Sequence, residues 1–283
     1  STRVRSSAAS DVYKRQEYWG YALRIGIPIV PHYLSGIILN QGDRIMIDKM
    51  VGKTEVALYG LAYSIGMLVQ LFISGMNSAL TPWMYSKIKK GDIRSMRKVL
   101  QLLSVVVVGI AVALMLISPE LVLIFGSPKY REAVYVIPPV AASVFFIFIY
   151  NILSMPQFYY EKTQFLMVAS MAAAGANVVL NFIFIHLFGY IAAGYTTLAC
   201  YMLYSVGHYI VSKRILVNEG IQENLMSPGF LVACSVFLIG ASIICNLIFP
   251  YRILRYAILL ASAGLVFWKK ELLLKTMADI RKK

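Results

Sequence analysis

The sequence predicts an all-α fold, a polytopic membrane helix bundle of about eight transmembrane spans. Three observations carry this. Of the 283 residues, 59% are apolar and 14% charged, against about 45–50% and about 25% in a soluble domain, and mean hydropathy is +0.70. The charges that remain are bunched between apolar runs of about 20 residues, the length that crosses a bilayer, inside which a charge costs several kcal/mol. The runs are also continuous. They therefore read as helices, whose backbone bonds close internally, and not as barrel strands that alternate over about ten residues.

The eight spans fall at 18–47, 56–83, 99–118, 135–159, 163–188, 191–211, 230–249 and 253–268. The last is short and carries Arg255 near its start. After spans 2, 4, 6 and 8 one side of the membrane receives 15 Lys and Arg, and the other side receives 6. The positive-inside rule places the richer side in the cytoplasm, together with Glu17 and the C-terminus. The net charge of +14 is then loop charge held against anionic lipid headgroups, and it calls for no nucleic-acid partner.

Residues 1–16, STRVRSSAASDVYKRQ, are polar, have no apolar core and give way abruptly to membrane sequence at Glu17. They read as a translated adapter or cloning scar and not as a signal peptide. A polar break, NEGIQENLMSPG, follows Val217. This divides the chain into a six-helix unit (17–217) and two appended helices with a basic cytoplasmic tail (218–283). Between spans 2 and 3, bases alternate with Ile88, Ile93, Met96 and Val99. That pattern suits either an amphipathic helix on the inner leaflet or a solvated basic loop.

Polar residues form stripes. In span 2, Tyr59, Tyr63, Gln70, Ser74, Asn77 and Thr81 fall within about 60° at 100° per residue. Span 4 carries Ser143, Tyr150, Ser154, Gln157 and Glu161, and span 5 carries Thr163, Ser170, Asn177 and Asn181. Such stripes serve either as interhelical glue or as the walls of a hydrated cavity. Three of them running through the membrane favour a substrate cavity. In span 1, Arg24, Pro28, Pro31, Ser35 and Gly42 share a face, with His32 and Asp43 at its margin. The two prolines should kink or break the helix, a frequent feature of transporters. Arg24 suits a phosphate, unless it snorkels to the headgroups. His32 is a candidate proton site, with simple packing as the alternative. Asp43 is either a cavity residue or the partner of Arg44 in a local pair at the helix end.

Enzymatic chemistry finds little support. There is no phosphate-binding loop, no H-E-x-x-H and no G-x-S-x-G. Cys200, Cys234 and Cys245 lie in apolar runs without C-x-x-C spacing, which argues against a zinc site or a disulfide framework. No cofactor is expected. Transport by such a chain must draw on an ion gradient or a partner.

Two stretches carry a family resemblance. NQGDRIMIDKMVGKTEVALYGLAYSIGMLV (40–69) is similar to the seventh and eighth helices of polysaccharide and O-antigen flippases. NVVLNFIFIHLFGYIAAGYTTLACY (177–201) is similar to their eleventh-to-twelfth helix hairpin. These proteins belong to the multidrug/oligosaccharidyl-lipid/polysaccharide exporter superfamily. The resemblance implies two six-helix lobes in a V and an undecaprenyl-diphosphate-linked oligosaccharide moved between them by alternating access across the bacterial inner membrane. This chain would supply the second lobe plus two further helices, and the first, N-terminal six-helix lobe would be a partner. A proton or sodium ion is the expected coupling ion. Arg24 matches a basic residue that such flippases carry in their seventh helix.

Two rivals remain. A multidrug extruder of the same superfamily would favour acidic cavity residues, which are few here. A membrane polysaccharide polymerase would be an enzyme with a long outer loop, whereas the longest outer connection, 119–133, has about 15 residues.

Overall fold

Each of the eight expected spans falls in helix, and the breaks between helices have local chemical causes. The computed structural model describes the backbone of residues 2–268, with side chains from residue 18 onward except Arg24, Ile25, Pro28 and several in the last turns. Among the described residues there are nine α-helices: α1 (Thr2–Met50), α2 (Lys53–Gly66), α3 (Leu68–Lys89), α4 (Ile93–Phe125), α5 (Ile137–Tyr159), α6 (Gln164–Phe188), α7 (Ile191–Asn218), α8 (Pro228–Ile248) and α9 (Arg252–Trp268). A 3-10 segment, Pro128–Val136, leads into α5. Residues 2–16 continue the backbone of α1. The basic tail after Trp268 lies outside the described residues.

Among the described residues five stretches are long and apolar enough to cross a membrane: 53–89, 93–125, 128–159, 164–188 and 228–248. The other three expected spans lie in α1, α7 and α9. The first two are diluted by polar residues, in α7 including the buried Tyr201, Tyr204, Ser205 and His208, and α9 has 17 described residues.

α5 is the axis of the bundle. It is buried along most of its length and packs against α2, α3, α4, α7 and α8. α1 lies on α6, and α6 lies on α7. α8 leans on α4 and α5, and α9 touches α4 and α8. The contact of α9 with α4 is ionic. Arg255 donates to both carboxylate oxygens of Glu120 at 2.8 Å, and also to the Leu116 carbonyl at 2.6 Å.

Three details differ from the sequence-based expectations. α1 runs through Pro28 and Pro31 as one helix and is not broken there, and Ser35 Oγ donates to the Pro31 carbonyl at 2.7 Å. The break falls instead in span 2, between α2 and α3, where Met67 N bonds Tyr63 O and the chain restarts at Leu68. Gly66 stands there because a Cβ would lie 2.6 Å from Val140 Cγ1 on α5, so the backbone must come this close to the axis helix.

The third concerns the basic stretch between spans 2 and 3, which is neither a surface helix nor a loop. It is two helix ends joined by a tight turn. Gly91 takes φ +68°, and Asp92 caps α4 by accepting from Ser95 N at 3.3 Å and from Lys87 Nζ at 2.6 Å. Ile88, Ile93, Met96 and Val99 are buried in the protein core. Their alternation with bases therefore records protein packing and not a lipid-facing side.

Candidate functional site

Two polar clusters and one cavity lie where α1, α2, α5, α6 and α7 converge. The first cluster centres on Asp43, which is fully buried. Its Oδ2 accepts from the Tyr59 hydroxyl at 2.5 Å and from Thr197 Oγ1 at 2.8 Å. Its Oδ1 accepts from Asn181 Nδ2 at 2.5 Å. Asn181 Nδ2 also reaches Asn177 Oδ1 at 3.2 Å, Asn177 Nδ2 donates to Thr197 Oγ1 at 3.2 Å, and Thr196 Oγ1 donates to Asn181 Oδ1. Four helices thus meet on one carboxylate. A buried charge is tolerated only where its lone pairs are filled, and here each oxygen is filled by neutral donors. Among the described residues no cation is paired with Asp43. Arg44 turns away, donating to Gln41 Oε1 at 2.9 Å and lying 5.2 Å over the Tyr63 ring. The two neighbours are therefore not a local pair.

The second cluster joins α1, α5 and α7. The Tyr204 hydroxyl lies 3.1 Å from His32 Nδ1, and Gln157 Nε2 lies 2.8 Å from His208 Nδ1. Tyr204 and His208 meet edge-on at 4.4 Å between centroids, and Tyr150 packs on Tyr204 at 4.7 Å. With the Gln157 amide nitrogen as donor, His208 presents Nδ1 as acceptor. Its Nε2 is then buried without a partner among the described residues.

Between the clusters opens a cavity of about 740 Å³. α1 lines it with His32, Asn40, Gln41 and Arg44, α2 with Tyr63 and Ser64, and α5 with Tyr150, Asn151 and Ser154. Ser170 of α6 and Tyr201 and Tyr204 of α7 close it. One wall is braced by Tyr63, whose hydroxyl donates to Asn40 Oδ1 at 2.6 Å. Arg44 keeps donors in reserve, since its Nε is buried without a partner among the described residues. Among the described residues the lining is aromatic and amide-rich with one guanidinium and no carboxylate.

The residues singled out in the sequence divide among these places. His32, Tyr63, Tyr150 and Ser154 line the cavity. Asp43, Tyr59, Asn177 and Asn181 lie in the carboxylate hub behind it, and Gln157 is buried against His208. Gln70, Ser74 and Asn77 lie on α3 beyond the break and border none of this, with Ser74 exposed. The side chain of Arg24 lies outside the described residues. The sequence reading passed over Asn40, Arg44, Thr196, Thr197, Tyr201, Tyr204 and His208. A signal was present in α7, because Thr197, Tyr201, Tyr204 and His208 recur at helical spacing on one face.

The MatE family profile matches residues 28–183, more than half of the chain. The chain belongs to the MatE family. The match takes in Asp43, Tyr59, Asn177 and Asn181 of the hub and stops short of Thr196 and Thr197. MatE proteins are membrane transporters of the multidrug/oligosaccharidyl-lipid/polysaccharide exporter superfamily. This MatE chain is 29% identical over 178 residues to a Haemophilus influenzae protein named for the Lsg locus, an alignment covering 59% of this chain and 43% of the relative. It is 30% identical over 152 residues to an uncharacterized membrane protein of the same organism, covering 51% of this chain and 36% of that relative. The chain therefore spans less than half the length of these curated relatives. No solved structure matches it.

Proposed function

We propose that this MatE chain is the C-terminal half of a flippase that carries an undecaprenyl-diphosphate-linked oligosaccharide across the bacterial inner membrane. Both ends of segment 17–283 then lie in the cytoplasm, and a six-helix N-terminal lobe completes the transport path. The observation that carries this reading is the cavity lining. Arg44 supplies the charge, aromatic and amide groups suit a sugar, and among the described residues the lining holds no carboxylate to attract an organic cation. The Asp43 hub is the place where a coupling proton or sodium ion would act, because α1, α2, α6 and α7 would all register a change of charge there. The tyrosine rings would suit an organic cation as well, but the Arg44 guanidinium among them opposes one.

The test is binding, because one lobe makes no two-sided path and the chain by itself is expected not to transport. The full chain in nanodiscs is titrated with a short polyprenyl diphosphate and, separately, with a lipophilic cation such as ethidium. The diphosphate should bind. Arg44→Gln should weaken it by roughly tenfold or more, the value of a charge-assisted hydrogen bond. Binding of ethidium alone, or a diphosphate affinity indifferent to Arg44→Gln, would overturn the proposal.

A further inference from the structure

The opposite face of α7 carries a second groove, unrelated to the cavity above. Its apolar part, about 150 Å³, runs between α5, α7 and α8 and is walled by Phe146, Ile149, Met202, Val206, Leu231 and Val232. Two serines also border it but spend their hydroxyls internally, Ser205 on the Phe146 carbonyl at 2.9 Å and Ser235 on Leu231 at 2.7 Å. The groove therefore presents hydrocarbon. Tyr209 borders this groove and also a second hollow of about 430 Å³, which continues along α7 past Ile210 to Lys213, Arg214 and Val217.

The two hollows form one track with an apolar stem and a cationic end. The Tyr209 hydroxyl, at the junction, is buried and has no partner among the described residues. Lys213 and Arg214 are exposed and enter no ion pair among them. Of the carboxylates of the following loop, Glu223 pairs with Arg94 at 3.3 Å, and Glu219 is exposed. Arg97, donating to the Asn224 carbonyl at 2.6 Å, brings a further base to this end of the bundle. From Met202 to Val217 the track measures about 22 Å at 1.5 Å per residue. One bilayer leaflet offers about 15 Å of hydrocarbon and a headgroup layer of about 6 Å.

We infer that this track is a binding site for one anionic phospholipid of the inner leaflet, with an acyl chain between α7 and α8 and its phosphate on Tyr209, Lys213 and Arg214. It is separate from the cargo cavity, and the inference does not depend on what the cavity carries. The polarity fits, because the positive-inside reading puts the ends of α3 and α7 at the cytoplasmic leaflet. A bound lipid would fill the seam beside α8, whose Val232 and Val236 are 62% and 66% exposed.

The full chain in detergent is titrated with phosphatidylglycerol, phosphatidylcholine, inorganic phosphate and a short polyprenyl diphosphate, and retained lipid is counted by native mass spectrometry. Phosphatidylglycerol should be retained in preference to phosphatidylcholine. Lys213→Gln with Arg214→Gln should weaken it about thirtyfold, from two interfacial cations. Val232→Trp, an exposed position that closes the stem without touching the core, should weaken it as well, with an unchanged elution profile. Equal retention of both phospholipids, full competition by inorganic phosphate, or indifference to these substitutions would overturn the site. Displacement of phosphatidylglycerol by the polyprenyl diphosphate would also overturn it and make the track a cargo entry. Failure of Arg44→Gln to affect the diphosphate would leave this site standing.

Discussion

Truncating Asp43 to alanine tests the carboxylate hub most directly. The substitution removes the acceptor for three donors: the Tyr59 hydroxyl at 2.5 Å, Thr197 Oγ1 at 2.8 Å and Asn181 Nδ2 at 2.5 Å. Their losses are unequal. Asn181 Nδ2 keeps Asn177 Oδ1 at 3.2 Å, and the Thr197 hydroxyl can rotate toward its own helix backbone, as Thr196 already does toward Ala193. Tyr59, fully buried, keeps only the nearby Thr197 hydroxyl as an alternative acceptor. A buried donor left unpaired costs about 1–3 kcal/mol, so three partial losses cost about 2–5 kcal/mol. For a protein of this size that corresponds to roughly 5–15 °C in Tm. Asp43→Asn keeps one acceptor but turns an amide N–H toward donors, and should cost about half as much. The assay is thermal unfolding of the detergent-solubilised chain. Tyr59→Phe, alone and combined with Asp43→Ala, closes a double-mutant cycle whose coupling should be about 1–3 kcal/mol. An Asp43→Ala Tm within 1–2 °C of the parent, or additive effects in the cycle, would refute the view that this carboxylate ties four helices together.

Other predictions address other contacts. Glu120→Ala leaves the Arg255 guanidinium buried without its counter-ion and should cost about 3–5 kcal/mol, freeing α9. The buried Cys245 should then label with maleimide at a rate well above that of the parent, and an unchanged rate would count against the docking role of this pair. Gly66→Val places methyl groups against Val140, whose Cγ1 already lies 2.6 Å from the site of a Cβ, and should cost about 1–3 kcal/mol. Gly75→Ala meets nothing within 4 Å and should be neutral, or stabilising by up to about 1 kcal/mol. Equal Tm values for these two variants would contradict the close approach of α2 to α5.

Much of the fold was legible because lipid imposes a strong rule. Apolar length reports a span, and the positions of Lys and Arg report its ends. The stripes were legible for the same reason, since Asn177, Asn181 and Tyr59 have few places to go in a membrane except toward one another. Hydropathy contains no information about which stripes meet. The residues from Tyr59 to Thr81 share one face only if the helix is continuous. The break at Met67, next to the close approach of Gly66 to Val140, separates the inward-facing Tyr59 and Tyr63 from Ser74, which is exposed. The basic stretch between spans 2 and 3 misleads for a related reason. A tight helical hairpin buries one side of each helix end and charges the other, which from sequence alone is the pattern of a surface helix. Arg44 was overlooked as a cavity residue because its neighbour carries the opposite charge, and adjacency suggested a pair. On a helix, however, consecutive side chains diverge by about 100°, so Asp43 and Arg44 serve different surroundings.

That divergence connects the hub to the cavity. Asp43 lies on one side of α1 among donors that saturate it. One residue on, Arg44 lies at the cavity with unspent donors over the ring of Tyr63. α2 repeats the arrangement one turn apart, with Tyr59 on Asp43 and Tyr63 on Asn40 at the cavity wall. A rotation or shift of α1 relative to α2 cannot lengthen the Asp43–Tyr59 bond without also moving Arg44 against Tyr63. Any event that changes the charge at Asp43 therefore acts on Arg44 in the cavity through a single turn of two helices. Coupling of this kind needs a differential free energy between two arrangements. Three donors that gain or lose a charged acceptor supply one of a few kcal/mol. The measurement that bears on this is the diphosphate affinity of Asp43→Asn: a cavity coupled to the hub should show a change of severalfold with Arg44 intact, and an unchanged affinity would mean that the two sites are independent.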